Sequence, residues 1–160
     1  MANVFASDWE FAHEGVSLAS VTKAGGAELL GATVYELEPE ARWADLHAHY
    51  ANEELIIVLA GSITLHMRDG GSRELATGEV AVCRRGREGT HRIENGTNDR
   101  ARVLMVSTMN MPEVVEYPER GTVFVMTEPP FTQDTGEAER HGRILRVFER
   151  DSGRPVPPDA

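Results

Sequence analysis

Residues His47 to Gly61 read HAHYANEELIIVLAG, and the first eight of them raise a question of geometry. In an extended strand, side chains two apart share a face, so His47 and His49 project together, as two ligands of one ion must. Glu54 follows across YAN, a turn from which an antiparallel neighbour can bring its carboxylate back beside the imidazoles. The apolar run from Leu55 then reads as a buried strand closed by Gly61. His91 opens a later strand. Three imidazoles and a carboxylate suit a borderline divalent ion such as Mn, Fe, Co, Ni, Cu or Zn; Ca and Mg prefer all-oxygen sites. In isolation the pair has a second reading, because two histidines on the wet face of an edge strand have the same spacing.

Outward from this stretch, short β-branched runs alternate with glycine and polar turns. GATVYELE (31 to 38), RWADLHAH (42 to 49), ELIIVLAG (54 to 61) and SITLHM (62 to 67) precede a hairpin turn, RDGG, at 68 to 71. SRELA (72 to 76), EVAVC (79 to 83), HRIEN (91 to 95) and ARVLMVS (101 to 107) follow, with a turn at NGTN, 95 to 98. About eight strands at ~8 to 12 residue spacing predict an all-β sandwich or barrel, with a jelly roll the economical choice. After Met111 the prolines 112, 118, 129 and 130 interrupt the pattern; HGRILRVFE (141 to 149) is a candidate further element, and DSGRPVPPDA reads as a frayed tail.

Composition narrows the function classes. At 160 residues the chain has room for one ordinary domain. A formal charge of -10, from 26 acidic and 16 basic residues, opposes a nucleic-acid partner, since phosphate neutralisation needs a basic face. No apolar run approaches the ~20 residues of a membrane span, and the first twenty residues lack the order of a secretory signal, so the expectation is a cytoplasmic protein without a membrane partner. Cys83 is the only cysteine, which removes internal disulfides and cysteine-rich zinc sites and leaves His and carboxylate as the metal ligands. At the end of an apolar strand Cys83 reads as a small buried hydrophobe, with no base paired to it in sequence.

The motifs resemble those of the cupin family. Its first motif, G(x)5HxH(x)3,4E(x)6G, is met by His47, His49, Glu54 and Gly61, and its second, G(x)5PxG(x)2H(x)3N, by Gly78, Gly86, His91 and Asn95. Ala41 replaces the opening glycine of the first and Arg84 the proline of the second, while GREGTH puts four residues between Gly86 and His91 where the pattern has two. From Gly26 to Pro118 the chain is similar to small single-domain bacterial cupins of largely unassigned function, some labelled sugar-phosphate isomerase-like.

The resemblance implies a double-stranded β-helix with few short helices. It implies one domain over 1–160, with the barrel at about 26–110, an N-terminal arm at 1–25 and a C-terminal extension at 112–160. It also implies a divalent transition metal (Fe, Mn, Ni or Zn) on His47, His49, Glu54 and His91, and a homodimer of the kind relatives form by exchanging terminal strands. The segment from Val4 to Gly15, with Phe5, Trp9 and Phe11, suits such an exchange and equally suits a strand covering its own barrel.

With four protein ligands an octahedral ion keeps two adjacent positions for a chelating substrate, whereas a tetrahedral zinc is closed. The expected partner is a small-molecule ligand or substrate. Three functions compete: a metal-dependent enzyme, isomerase, epimerase or dioxygenase; a non-catalytic barrel that binds a small molecule, its ion, if present, being structural; and a structural or storage-like protein whose metal only braces the barrel. Trp43 is a candidate pocket wall by parity with His47, with core packing as the alternative. Tyr50 and Glu53 are candidate proton-transfer groups, with Glu53 alternating away from Glu54. Arg42, Arg84, Arg85 and Arg87 are candidate anion holders or solvated surface. His13, His66 and His141 lie outside both motifs and are not assigned to the metal.

Overall fold

The computed structural model describes residues 3–128 and 145–156. Thirteen strands are defined there: β1 Phe11–His13, β2 Val16–Ser20, β3 Leu30–Leu37, β4 Arg42–His49, β5 Glu54–Ala60, β6 Ser62–Met67, β7 Ser72–Ala76, β8 Val80–Cys83, β9 His91–Glu94, β10 Ala101–Thr108, β11 Glu113–Tyr117, β12 Thr122–Met126 and β13 Leu145–Glu149. The helical pieces among the described residues are 3-10 turns at Lys23–Gly25, Arg68–Gly70 and Arg87–Gly89. The strands form two antiparallel sheets, ordered β1-β2-β3-β10-β5-β8 and β13-β12-β11-β4-β9-β6-β7. This is the expected double-stranded β-helix, and none of the helical pieces is long and apolar enough to cross a membrane.

Alternation decides what fills the space between the sheets. Leu37, Ile56, Val58, Ile63, Leu65, Leu75, Ile93 and Val103 are buried there in one cluster with Tyr35 and Leu18. Gly61 makes the corner from β5 to β6 at φ 74°, where a Cβ would stand 2.7 Å from the Arg100 carbonyl oxygen; glycine meets both demands. The RDGG hairpin forms as expected, with Asp69 and Gly70 both at positive φ.

Two strands fall where the prolines obscured the pattern. Pro112 stands just before β11 and Pro118 just after it, so the prolines bracket the strand and leave its ladder intact. β11 pairs with both β12 and β4, which puts Val115 opposite His49 and Glu116 opposite Ala48. Chain beyond the second motif therefore lies directly against the histidine strand. The candidate element at 141 to 149 is described from Leu145 onward; its first four residues, His141 among them, lie outside the described residues.

At the other end, β2 pairs with β3 of the same chain. Trp9 covers the guanidinium of Arg102 at 5.1 Å from its ring centroid, and Arg102 also bonds Glu36 and the carbonyls of Val4 and Ala6. Within this chain the arm covers its own barrel.

Candidate metal centre

The centre is assembled from both sheets. β4 carries His47 and His49 on its inner face, β9 begins with His91 directly across from His47, and β5 of the facing sheet begins with Glu54. A bulge in β4, where Ala44 takes φ 60°, inserts extra residues between the Trp43–Ile93 and His47–His91 pairs and still returns both to the inner face. Ring centroids stand 5.0 Å apart for His47 and His49, 4.6 Å for His47 and His91, and 6.3 Å for His49 and His91.

Backbone carbonyls aim the rings. His47 Nδ1 donates to Asp45 O at 2.8 Å and His91 Nδ1 to Gly89 O at 2.9 Å, so in both rings Nε2 is the atom left to face the interior. The turn that supplies Gly89 is the lengthened GREGTH segment. It folds into the Arg87–Gly89 3-10 turn, anchored by Gly86 N donating to His49 O, and leaves His91 only 2% exposed. Gly89 lies so tightly over the Arg84 backbone that a Cβ would fall 1.6 Å from the Arg84 carbonyl oxygen. The two extra residues are thus spent on a local turn, and His91 keeps its depth.

One donor atom each from His47, His49 and Glu54 lies within 4.8 Å of the others, an arrangement able to hold a metal ion. Glu54 Oε2 is 2.9 Å from His91 Nε2 and 3.6 Å from His49 Nε2. Glu54 Oε2 and His91 Nε2 are both buried, and they approach one another without the alignment of a good hydrogen bond. Buried polar atoms left without hydrogen bonds are rare and costly. Their convergence here, with imidazole and carboxylate as the donor types, fits a borderline divalent ion placed between them.

The electrostatics of the pocket match this. Burial, reinforced by His91 and His49, pushes the His47 pKa down to about 3, so that ring is a neutral donor at pH 7. Burial opposes charge on Glu54, but the surrounding imidazoles outweigh it and bring the carboxyl to about 2. Burial also opposes charge on His91, and there Cys83 and Glu54 outweigh it and hold the proton up to about 10. His91 would give up that proton to serve as a ligand, and Glu54 would remain the carboxylate facing the site.

Several residues at the centre carry no motif signal. Glu113, 2% exposed, lies 3.5 Å from His49 Nδ1 and accepts from the backbone N–H groups of Tyr50, Ala51 and Val114 and from Asn52 Nδ2. It orients His49 from behind, leaving Nε2 toward Glu54. Tyr117 stacks on His47 at 5.7 Å and 26°, backed by Phe124 at 5.0 Å. Glu113 carries no local signal in the sequence; its role comes from the pairing of β11 with β4.

The other candidates fall elsewhere. Trp43 packs against Tyr35 at 5.2 Å on the edge of the apolar cluster. Tyr50 turns to the opposite face of the sheet, where its hydroxyl donates to Glu116 at 2.6 Å. Arg87 joins it there with two bonds to Glu116, while the side chains of Arg84, Arg85 and Glu53 are exposed. Arg42 is exposed and lies 3.9 Å from Asp45. His66 pairs with Glu94 at 2.9 Å, and His13 lies on the surface.

With this fold and donor set described, the comparisons with known proteins are informative. A family model described as a cupin domain matches residues 33–107. A crystal structure of a sugar phosphate isomerase from a cupin superfamily, from Silicibacter pomeroyi, is 26% identical with a TM-score of 0.69, over 91% of this chain and 82% of that one. Residues 33–107 thus carry the cupin-domain pattern, on a fold shared with that cupin-superfamily structure. A second cupin-like neighbour, from Acidithiobacillus ferrooxidans and provisionally named a sugar phosphate isomerase, is 20% identical with a TM-score of 0.70, over 89% of this chain and 81% of that one. A predicted oxalate decarboxylase from Thermotoga maritima is 24% identical with a TM-score of 0.51, over 58% of this chain and 79% of that one. No curated protein matches this chain in sequence.

Proposed function

We propose that this chain is a metal-dependent enzyme acting on a small polar metabolite, with His47, His49, Glu54 and His91 as the protein ligands of one Fe, Mn, Ni or Zn ion. The observation that carries the reading is the pair of orphaned buried atoms, Glu54 Oε2 and His91 Nε2, converging beside two further imidazoles. A structural neighbour 26% identical and named a sugar phosphate isomerase supports isomerisation or epimerisation of a sugar-phosphate-type substrate; oxygen insertion by a dioxygenase uses the same donor set. When bound, the ion supplies Lewis acidity toward an oxygen-bearing substrate. The chain's own part is to present three imidazoles and a carboxylate in fixed directions, with Asp45 O, Gly89 O and Glu113 setting the ring orientations. Tyr117 and Phe124 form an apolar wall beside His47.

The test is elemental analysis of protein purified without a histidine tag or chelator. Wild type should carry about one equivalent of a transition metal, and His49→Ala and His91→Ala should each lose it. Equal metal in all three proteins would remove the assignment. Metal-loaded protein inert toward aldose–ketose pairs, epimerisable sugars, diols and diketones, yet binding one of them, would favour the non-catalytic reading with a structural ion.

We also infer a homodimer joined through the outer face of the first sheet. Across β8, β5, β10 and β3 the register lines up Val80, Ile57, Leu104 and Val34 in one row and Val82, Leu55, Val106 and Ala32 in the next. Val82 is 62% exposed and Val80 44%. Two copies each carrying a charge of -10 repel, and these apolar rows, exposed at Val80 and Val82, are where they can meet at low electrostatic cost.

A further inference from the structure

Leu46 alternates away from His47 and lines a cleft of about 270 Å3 on the opposite face of β4 from the metal centre. Three arginines from three separate segments meet there: Arg68 from the turn after β6, Arg87 from the turn before β9, and Arg150 from just past β13. In a chain with 26 acidic residues against 16 basic ones, that convergence is not what an evenly solvated surface produces. Glu116 fixes two of the three. Its buried carboxylate accepts from Arg87 Nε and Nη2 at 3.1 and 3.2 Å and from Arg150 Nη1 at 3.4 Å, so one negative charge holds two guanidiniums in place. Glu88 and Asp69, which reach Arg68, and Asp151, which reaches Arg150, are exposed, and exposed pairs contribute little. A guanidinium carries five N–H donors. Hydrogen bonds to described residues use Nε and Nη2 of Arg87 and Nη1 of Arg68, so donors are left over on both.

We propose that this cleft is a second small-molecule site, distinct from the metal centre, that binds the phosphate group of a hydroxyl-bearing phosphate monoester. A phosphate presents three terminal oxygens to forked donors on several sides, which matches three guanidiniums better than a carboxylate with two. The cleft is larger than the phosphate group alone and leaves room for the esterified carbon skeleton. Asp69 and Glu119 line the same cleft, where they accept from hydroxyl groups of that skeleton and repel a second phosphate. Binding needs no ion at His47, His49, Glu54 and His91, so the site goes beyond the metal reading and stands or falls apart from it.

Calorimetric titration of chelator-treated wild type with glycerol 3-phosphate, inorganic phosphate and glycerol tests this. The expected result is saturable binding of about one equivalent of glycerol 3-phosphate, weaker binding of inorganic phosphate, and none of glycerol. Arg68→Gln and Arg87→Gln should each weaken glycerol 3-phosphate binding on the order of tenfold, the loss that goes with one charge-assisted donor group. Arg87 also braces Glu116, so its variant can fold poorly; the partners of Arg68 are exposed, and its variant decides by itself. No saturable binding, or binding unchanged in Arg68→Gln, overturns the site. Inorganic phosphate held as tightly as glycerol 3-phosphate overturns the monoester assignment in favour of free phosphate. Binding seen only after the protein is loaded with metal puts the anion on the ion, which overturns the cleft and leaves the metal centre standing.

Discussion

At the scale of single residues, Glu113 shows how much of the centre is built outside the ligand set. Its carboxylate accepts from Tyr50 N at 3.1 Å, Ala51 N at 3.0 Å and Val114 N at 2.8 Å, and it faces His49 Nδ1. Removing it strands several donors in a place water does not easily reach, and each buried orphan costs about 1 to 3 kcal/mol. Glu113→Ala should therefore lower unfolding free energy by roughly 3 kcal/mol or more in urea titration. Glu113→Gln keeps the size and some of the bonds but loses the charge that orients His49. It should fold nearly as well and bind metal on the order of ten- to a hundredfold more weakly, as read by competition with a chromophoric chelator. Unchanged affinity in Glu113→Gln would show that the carboxylate serves the Tyr50–Asn52 turn alone. His47, His49, Glu54 and His91 were legible in the sequence because their spacing is fixed by strand alternation and one turn. Glu113 was not, since nothing local distinguishes it from a surface glutamate at a strand start.

Among the elements, β11 ties the histidine strand to the turn before His91. Glu116, opposite Ala48, bonds Tyr50 at 2.6 Å, Arg87 at 3.1 and 3.2 Å, and Arg150 at 3.4 Å. Burial raises the Glu116 pKa, but Tyr50, Arg87 and Arg150 together outweigh it and leave it below the usual value of 4.5. A carboxyl whose folded pKa is depressed binds its proton more readily when unfolded. Its contribution to stability is complete above pH 4.5 and is lost as pH falls through the folded value. Wild type should thus lose stability on acidification from about pH 5 downward, and Glu116→Gln, less stable at pH 7, should lose less over the same interval. Parallel curves from thermal melts across pH 7 to 3 would remove Glu116 as a contributor. The strand itself escaped the sequence reading because prolines mark ends as often as interruptions, and only its pairing with β4 shows which.

For the whole molecule, the outer face of the first sheet presents exposed apolar side chains, Val82 at 62% and Val80 at 44%. The N-terminal arm covers one end of it through Trp9 and Arg102, while Val80 and Val82 stay exposed at the other. Val82→Glu places a charge at a position 62% exposed in the single chain, so the fold should tolerate it. Sedimentation should then show wild type as a dimer and the variant as a monomer with an unchanged melting profile at low concentration. A monomeric wild type, or a dimer that survives the substitution, would remove this face as the interface.

The all-β class, the order of the strands through the second motif and the cluster of candidate ligands were determined by the sequence alone, because alternation, turn chemistry and ligand spacing are local properties. Tertiary structure decided the rest. It brought Glu54 of one sheet to 2.9 Å from His91 of the other, turned Tyr50 and Arg87 to the far face beside Glu116, and set Cys83 opposite Glu54. Each of those depends on which strands are neighbours and in what register, and register is set by burying a whole face at once.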